Sequence, residues 1–544
     1  MSAARVVRAC ALAVFLASSC SSPQAAPAKA PAELQQAFSA APRPALPRHL
    51  ELVESPLGRL RPDIVEGNLV VSPDSNHLAY VARRDGKQYV VRDDREEQAY
   101  DQIPLAGTVP YEWWKDPVVD VSAVSQGKTW QRTGCLVFSP DSRRLAYQAK
   151  QGDKWLAVID GVAGKLHDKF TFQGIVFSAD SGHVAYTVTD GGFWEHNDRV
   201  VQDGVEGPEL LQTSDLAFSS DGNHIAYATR QRVSDHLTMS LDGVSLPPGP
   251  AGREHGYHEV DGPVFSPDGR RLAYRAQIYK AGTFGDGQHY VSPDQWLVVL
   301  DNSEGAKYEE IIEDSLLFSP DGQHLAYVVR ERGQGGQVFV VLDGVEQKRY
   351  PQMGAGSLAF SPDSTHLVYT AGSRAGLAVV TDRAEGPRYL SAGSVTFSPD
   401  SKRMAYLAQR ADGWVAVIDG VEGPVYEGIG QPGVSFSPDS RLVGYVAQRR
   451  GKLVAVIDGK ETWEYDGFGE GGVVFSPGSD FVVFRAPRDG KWSVFVDGLH
   501  AGEYDYFPRG ASLVFDSSTV MHTLAVRGTD VLRIEVRVHA PVAQ

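Results

Sequence analysis

The chain has 544 residues, of which 42% are hydrophobic and 22% charged, and 52 basic against 68 acidic residues give a formal net charge of -16. A body this acidic, without a basic stripe, disfavours nucleic-acid binding and is repelled by anionic lipid headgroups. Three cysteines exclude a disulfide framework, so stability must come from buried apolar surface.

Residues 1–19 are typical of an export signal. Arg5 and Arg8 precede a short apolar stretch that is too short to span a membrane. Cys20 follows two serines and resembles the cleavage site of a bacterial lipoprotein, where the cysteine becomes the lipidated first residue, although Ala17 stands where leucine is usual. Ordinary secretion with cleavage nearby is the alternative. Removal of the two arginines leaves 50 basic against 68 acidic residues, or -18.

Residues 20–49 are rich in alanine and proline, which predicts a flexible or extended tether. Ser21, rather than aspartate, after the cysteine resembles the pattern for sorting to the outer membrane of Gram-negative bacteria. We therefore expect an exported lipoprotein of the outer membrane or periplasm that touches the membrane only through its N-terminal lipid.

The rest of the chain is organised by one repeat, which is clearest in residues 315–350. Ser319 to Gly322 (Ser-Pro-Asp-Gly) predicts a turn, and His324 to Val329 is a strand rich in apolar and β-branched residues. Asp343-Gly344 predicts a second turn between two further short strands, and no helical period fits the stretch. The unit therefore predicts a four-stranded antiparallel sheet.

Copies of this unit follow one another at a spacing of about 40 residues, the period of propeller blades. The residue before the first turn is Val71, Phe138, Phe177, Phe218, Phe265, Phe318, Phe360, Phe397, Phe436, Phe475 and Phe515. The predicted fold class is therefore all-β, a β-propeller of about eleven four-stranded blades that bury their faces against their neighbours.

Two copies, FSPDSKRMAYLAQ from Phe397 and FSPDSRLVGYVAQ from Phe436, are nearly superimposable. The repeat resembles the bacterial WD40-like β-propeller repeat of the type found in TolB and in the propellers of prolyl-oligopeptidase-like peptidases. The resemblance covers most of the chain after residue 50. It implies the fold but is silent on function, because propellers host many activities. We expect neither the peptidase activity nor the partners of TolB to carry over, since the domains that hold them have no counterpart here.

The last copy predicts strands at Thr523–Val526 and Val531–Val538 but no fourth strand. Leu50 to Val65 precedes the first copy and could supply the missing strand, joining the two ends of the chain. Common rings hold about four to eight blades. Eleven copies therefore favour two tandem propellers, residues 50–300 and 301–544, with one large ring as the alternative.

One face of the propeller departs from the repeat. Connections from the second to the third strand, and from the fourth strand to the next blade, share this long-loop face. Insertions occupy residues 101–133, 190–198, 245–262 and 277–295, although part of the 245–262 insertion could belong to the opposite face. Long aromatic loops on a rigid scaffold are typical binding sites, although the insertions could instead only cover an irregular ring. The predicted ligand-binding residues are Tyr111, Trp113, Trp114, Phe193, Trp194, His255, Tyr257, His258, Tyr279, Phe284 and Tyr290.

Other repeated polar residues are interpreted as structural. The turn aspartates share one repeat position, and so do five histidines: Asp141, Asp268, Asp321, Asp363, Asp400 and Asp439, with His77, His183, His224, His324 and His366. His255, His258 and Glu259 break the repeat, but a transition metal there would need a third ligand such as His289 or Asp261. We therefore expect no metal and no cofactor.

The sequence lacks a G-x-S-x-G elbow, a glycine-rich phosphate loop and an EF-hand loop, and no catalytic residue is predicted. We expect a binding or scaffold module for a protein, peptide or glycan of the cell envelope, without nucleic acid as a partner. The alternative is a polysaccharide lyase or hydrolase that uses the propeller funnel. That activity would need clustered histidine, arginine and carboxylate side chains at the inner strand starts.

Overall fold

The computed structural model describes residues 49–65, 69–104, 136–191, 197–230, 237–247, 257–283, 289–333, 336–354, 356–430 and 433–539. Within these ranges the chain forms 47 β-strands and no helix. Accordingly, the described ranges contain no helix long and apolar enough to cross a membrane. Pro44–Gln544 forms one compact unit.

The strands form eleven antiparallel sheets, one for each copy of the repeat, so the predicted propeller of eleven four-stranded blades is confirmed. Strand β1 (His49–Arg59) precedes them. Blades 1 to 3 contain β2 (Val70–Val71), β3 (Leu78–Arg84), β4 (Lys87–Arg92) and β5 (Arg95–Tyr100); β6 (Leu136–Phe138), β7 (Leu145–Gln151), β8 (Lys154–Ile159) and β9 (Val162–Ala163); β10 (Lys169–Phe177), β11 (Val184–Asp190), β12 (Asn197–Gln202) and β13 (Val205–Glu206).

Blades 4 to 6 contain β14 (Gln212–Phe218), β15 (Ile225–Arg230), β16 (Leu237–Leu241) and β17 (Val244–Ser245); β18 (Glu259–Phe265), β19 (Leu272–Thr283), β20 (His289–Leu300) and β21 (Ser303–Tyr308); β22 (Glu310–Ile311), β23 (Leu317–Phe318), β24 (Leu325–Arg330), β25 (Val338–Leu342) and β26 (Val345–Glu346). Blades 7 and 8 contain β27 (Gln352–Met353), β28 (Ala359–Phe360), β29 (Leu367–Ser373), β30 (Gly376–Thr381) and β31 (Ala384–Tyr389); β32 (Ser391–Phe397), β33 (Met404–Arg410), β34 (Gly413–Ile418) and β35 (Val421–Glu422).

Blades 9 to 11 contain β36 (Gly428–Ile429), β37 (Ser435–Phe436), β38 (Val443–Arg449), β39 (Lys452–Ile457) and β40 (Lys460–Tyr465); β41 (Val474–Phe475), β42 (Val482–Arg488), β43 (Lys491–Val496) and β44 (Leu499–Tyr504); β45 (Val514–Phe515), β46 (Val520–Arg527) and β47 (Asp530–His539), completed by β1. In blades 6, 7 and 9 the first strand is split into two short pieces that pair with the same second strand.

A serine and an aspartate build the first turn of a blade. Ser319 Oγ donates to Asp321 Oδ1 and accepts from the His324 N–H at 3.0 Å, while Asp321 Oδ1 accepts from the Gln323 N–H at 3.0 Å. The serine-to-aspartate bond recurs at Ser72–Asp74, Ser139–Asp141, Ser178–Asp180, Ser219–Asp221, Ser266–Asp268, Ser361–Asp363, Ser398–Asp400 and Ser437–Asp439. The interpretation of the turn aspartates as backbone caps is confirmed.

The fourth turn residue joins each of six blades to the preceding one. Ser440 Oγ accepts from the N–H of Asp400, one blade earlier, at 3.0 Å, and Ser440 holds a φ of 65°. The same bond links Ser142 to Asp74, Ser181 to Asp141, Ser364 to Asp321, Ser401 to Asp363 and Ser479 to Asp439. Blades 4, 5 and 6 have glycine here, at Gly222, Gly269 and Gly322. A Cβ on Gly222 would lie 2.4 Å from Asp180 Oδ1, so the carboxylate of the neighbouring blade would have to shift to admit a side chain.

Both faces of a blade are buried, which explains why the second strands are continuously apolar. Successive residues of a strand point to opposite faces. In blade 7, Tyr369 packs with Ala326 and Val340 of blade 6, while Val368 packs with Tyr406 of blade 8. The Leu-Ala-Tyr pattern of the repeat therefore encodes two interfaces at once.

The two ends of the chain meet in blade 11. Strand β1 pairs with β47 from His49 opposite His539 to Arg59 opposite Asp530, and it becomes the fourth strand of that sheet. Glu54 on β1 accepts a hydrogen bond from Tyr504 Oη at 2.8 Å and pairs with Arg527 Nη2 at 2.6 Å. The prediction that the segment before the first copy completes the last blade is confirmed.

Blade 11 also packs against blade 1. Leu524 and Val526 share an apolar cluster with Leu78 and Tyr80, and the Ser512 N–H donates to Ser75 Oγ at 2.8 Å. Ser75 is the fourth turn residue of blade 1, so its hydroxyl also accepts a hydrogen bond from the preceding blade, here from a residue before the first strand instead of a turn aspartate.

Replacement of Ser440 tests this bond between blades. In Ser440→Ala the Asp400 N–H loses its acceptor and the Cβ still imposes the cost of a positive φ, so we expect a loss of about 0.5–1.5 kcal/mol of unfolding free energy. Ser440→Gly loses the acceptor but relaxes the backbone, and is expected to lose less. Denaturant unfolding of both variants measures the difference. Equal stability of Ser440→Ala and the wild type would contradict the role given to the hydroxyl.

Candidate functional site

Three of the four insertions lie in connections on the long-loop face, flanked by β5 and β6, β11 and β12, and β19 and β20. The fourth, residues 245–262, begins beside the second turn of blade 4, and Tyr257 pairs again with Leu237 of that blade, so this insertion interrupts the fourth strand instead. Seven predicted binding residues lie outside the described residues, as does Cys20: Tyr111, Trp113, Trp114, Phe193, Trp194, His255 and Phe284. Their binding role stays a prediction.

Two predicted binding residues, Tyr257 and His258, lie beside blade 5. Tyr257 is 1% exposed, packs in the cluster between blades 4 and 5, and donates from Oη to Glu304 Oε1 at 3.1 Å. His258 is partly buried, and its Nδ1 lies 3.0 Å from Gln277 Oε1. The structure thus places Tyr257 in the core, at the position where Tyr350 and Tyr426 also end a blade and pair with the start of its third strand.

Residues 277–283 and 289–295 extend two paired strands where the sequence suggested a loop. Strands β19 and β20 pair from Ala273 opposite Leu300 to Thr283 opposite His289, with a register shift after Ile278. Each has 12 residues, against seven and six in β33 and β34 of blade 8. The backbone of Tyr279 and Tyr290 belongs to this hairpin, which extends the sheet of blade 5 on the long-loop face.

Carboxylates brace the bases of the hairpins on this face. Asp168, at the end of blade 2, accepts from the Gly191 N–H at 2.8 Å and pairs with Lys154 Nζ at 2.7 Å. It therefore ties blade 2 to the residue from which the 192–196 segment starts. The hydrogen bond from Lys154 holds the pKa of Asp168 below its usual value. Asp101 with Lys87 and Gly152, and Asp505 with Lys491 and Gly528, repeat the arrangement.

The other end of the same segment is held by a buried carboxylate. Asp198 is 7% exposed and accepts from Thr189 Oγ1 at 2.7 Å and from the Thr213 N–H of blade 4 at 3.0 Å. In blades 2 and 8 a tryptophan, Trp155 or Trp414, has this place at the start of the third strand. The residues on both sides of the 192–196 segment, Gly191 and Asp198, are therefore held by hydrogen bonds.

A histidine–carboxylate pair lies under this hairpin. His167 is 1% exposed, its Nδ1 lies 2.9 Å from Asp190 Oδ2, and its Nε2 lies 3.9 Å from Glu206 Oε1. Burial opposes ionisation of Asp190, but the hydrogen bonds from His167 and from the Asp168 N–H outweigh it and lower the pKa of Asp190. The second nitrogen faces a carboxylate instead of a hydroxyl, so this is not a Ser-His-Asp arrangement.

The five repeated histidines face the second turn of their blades. His324 Nδ1 lies 2.7 Å from Asp343 Oδ2, and Asp343 Oδ1 accepts from the Leu325 N–H at 3.0 Å. The same histidine–aspartate contact holds at His77, His183, His224 and His366, and arginine replaces histidine at Arg144, Arg271 and Arg403. The interpretation of these histidines as structural is confirmed.

The ligand set considered around His258 does not assemble among the described residues. Asp261 binds Arg275 through both carboxylate oxygens, at 2.7 and 2.6 Å. No group of three or more histidine, cysteine, aspartate or glutamate side chains suited to a metal occurs in the described part of the chain.

A cavity of about 490 Å³ lies between blades 2 and 3, on the side of the short turns. No pattern in the sequence predicts this cavity. Val162, Gly164, Tyr186 and Asp203 line it together with Arg144. Arg144 is already bound to Asp160 Oδ2 at 2.9 Å. The cavity is thus lined by both apolar and polar groups, and the charge of Arg144 is already paired.

The braces were missed by sequence reasoning, although their signal is readable. Each carboxylate follows the aromatic or histidine residue that ends a blade, as in Tyr100-Asp101, His167-Asp168 and Tyr504-Asp505. Each paired lysine opens a third strand. To predict these ion pairs, the lysine that opens the third strand and the aspartate that ends the blade, about 14 residues later, would have had to be considered together.

No known protein family matches the sequence, and no curated protein is significantly similar to it. Among solved structures, a eukaryotic initiation factor matches with a TM-score of 0.37 at 13% identity, over 79% of this chain and 96% of that one. TolB from Acinetobacter baumannii matches with 0.23 at 12% identity, over 60% and 80%. The β-propeller domain of the Trilobed protease from Pyrococcus furiosus matches with 0.24 at 15% identity, over 53% and 96%. At these values the likeness is not evidence of a shared function.

Proposed function

We propose that this protein is an exported, lipid-anchored β-propeller that binds a protein, peptide or glycan of the cell envelope through its long-loop face. One observation carries the proposal. The short-turn face keeps nearly the same serine–aspartate turn from blade to blade, whereas three of the four insertions lie in connections of the opposite face. A uniform scaffold with variation concentrated on one face is the arrangement of a binding module.

The braced hairpins support this proposal. Gly191 is held by Asp168, and Asp198 by Thr213, so the 192–196 segment, which carries Phe193 and Trp194, starts and ends on buried or bonded residues. The β19–β20 hairpin extends a sheet on the same face. Binding residues presented by fixed ends lose less entropy when a ligand binds.

The enzyme alternative has less support in the described residues. A lyase or hydrolase in the funnel would need free ionisable groups grouped along the first strands. Asp261 forms an ion pair with Arg275, and the Glu470 carboxylate accepts a hydrogen bond from the Gly510 N–H at 3.0 Å. These two carboxylates are therefore already bonded, which leaves them less available for acid–base catalysis.

We also propose a single ring of eleven blades in preference to two tandem propellers. Apolar clusters or turn bonds link every blade to the next, and the apolar contacts of blade 1 in the described chain go to blades 2 and 11. Two closed propellers would need a mid-chain blade packed on blade 1. Class averages of negatively stained protein are expected to show one ring with eleven lobes. Two smaller rings would contradict the proposal.

Lipidation at Cys20 is tested in cells of a Gram-negative host. We expect the full chain to incorporate labelled palmitate and to fractionate with membranes, and Cys20→Ala to lose both properties because it removes the thiol that carries the lipid. Ser21→Ala is the matched control and is expected to keep the label. An unlabelled wild-type chain in the culture medium would favour ordinary secretion.

Replacement of Trp113, Trp114 and Trp194 together by alanine tests the long-loop face. The bait is the soluble chain from Ser21, used to recover material from envelope extract. A partner recovered in stoichiometric amount by wild type is expected to be lost by the triple variant, because buried aromatic residues dominate binding energy. The control replaces Val162, Val205 and Val345 of the opposite face, which are 72%, 72% and 54% exposed, by serine. Unchanged capture by the tryptophan variant, or loss in the valine variant, would contradict the assignment.

A further inference from the structure

Two buried arginines break the repeat at the same place. The residue after the tyrosine or its equivalent in the second strand is apolar in six blades: Val81, Ala228, Val328, Leu407, Val446 and Leu524. In blades 5 and 10 it is Arg275 or Arg485, which are 6% and 4% exposed. Two positive charges are thus buried at a position that six other blades fill with an apolar residue and that Gln148, Thr187 and Thr370 occupy in the remaining three.

The first arginine has its counter-charge in its own blade. Arg275 binds both oxygens of Asp261, donates from Nη1 to the Ile311 carbonyl at 2.6 Å, and lies 4.7 Å from the ring of Trp296. Asp261 stands directly opposite Arg275 in the antiparallel pairing of the first two strands. Burial raises the pKa of Asp261, while Arg275 opposes that rise.

The second arginine has a glycine where the first has its aspartate. The Gly469 N–H donates to the Arg485 carbonyl at 2.7 Å, which places Gly469 opposite Arg485 as Asp261 is opposite Arg275. Arg485 donates from Nη2 to the Glu470 carbonyl at 2.7 Å, and its buried Nε has no hydrogen-bond partner. Among the described residues, no carboxylate lies within ion-pair distance of this guanidinium.

The side-chain carboxylate of Glu470 does not bond to Arg485. The side chain of Glu470 accepts from the Gly510 N–H of blade 11 at 3.0 Å and lies 3.9 Å from Arg509 Nε. Burial lowers the pKa of Arg485 to about 10, so the side chain remains a cation at neutral pH. An unpaired buried charge is costly, and a protein retains one where it has a use.

The surroundings of Arg485 suit an organic anion. The guanidinium lies 5.1 Å from the ring of Phe507, which in turn packs edge-on against Trp492 at 6.2 Å. These groups lie between blades 10 and 11, next to the first strands. First strands of neighbouring blades approach one another, as β10 does β14 and β14 does β18, so they form the inner edge of the propeller.

We propose that Arg485 is a binding site for the carboxylate group of a ligand, with Phe507 as the apolar wall beside it. The ligand's carboxylate accepts a hydrogen bond from the Nε donor that the chain leaves unbonded. A guanidinium offers two parallel donors that match the two oxygens of a carboxylate. The site is separate from the long-loop face, and either assignment can fail without the other.

Thermal unfolding of the purified chain with acetate, at constant ionic strength against chloride, tests the proposal. Acetate is expected to raise the Tm of the wild type, because a ligand that binds only the folded state stabilises it. Arg485→Met is expected to lose this rise. No rise in the wild type, or an equal rise in Arg485→Met, would overturn the proposal. An equal rise with inorganic phosphate would overturn the assignment to a carboxylate.

Arg275→Met is the matched control. It leaves Asp261 buried without its cation, so it is expected to lower the Tm while the acetate-dependent rise persists.

Arg485→Met removes an unpaired charge, so its Tm in chloride is expected to be no lower than that of the wild type. An equal fall in the Tm of the two variants would contradict the unpaired state of Arg485. Should Arg485→Met fail to fold, Arg485→Lys keeps the charge without the two parallel donors, and its acetate-dependent rise is expected to be smaller than in the wild type. A full rise in Arg485→Lys would count against the proposed geometry.

Discussion

A blade of four strands has two apolar faces and can bury neither of them alone, so each blade depends on the one before it and the one after it. The alternation of Val368 and Tyr369 meets this constraint by sending one residue to each neighbour. The turn serines add a polar contact to the same interface, and Ser440 shows how specific it is. Its hydroxyl reaches the preceding blade only because the backbone adopts a positive φ. Turn, packing and interface are therefore fixed by the same few residues.

This dependence acts differently on the two faces of the propeller. On the short-turn face the serine must meet a backbone N–H of the neighbouring blade, and at Gly222 an added Cβ would lie only 2.4 Å from Asp180 Oδ1 of that blade. On the long-loop face the neighbours are joined by carboxylates such as Asp168, which need only the first residue of a hairpin turn. Chain can be inserted beyond that residue without loss of the contact. Variation has accumulated where the interface permits it.

The fold could be predicted from the sequence because nearly the same turn and strand residues recur in each copy of the repeat. The sequence also predicted closure by residues 50–65, since the last copy was one strand short. The extended hairpin β19–β20 was taken for a loop because Gly282 and Pro293 interrupt its pattern. Tyr257 was taken for a surface residue, although it ends its blade as Tyr350 does. The unpaired state of Arg485 could not be predicted, because it depends on which residue stands opposite it across a bulged strand.

The closure of blade 11 has a consequence for the order of folding. Most contacts join residues of one blade or of two consecutive blades, but Tyr504 reaches Glu54 across 450 residues. The equilibrium cost of that loop is modest, since each doubling of loop length adds only about 0.6 kcal/mol. The kinetic cost is larger, because β1 is made first and its partner β47 last. Until both are present, each presents an unpaired strand edge on which other chains can pair. The joint that completes the fold is therefore also the point at which nascent chains are most exposed to aggregation.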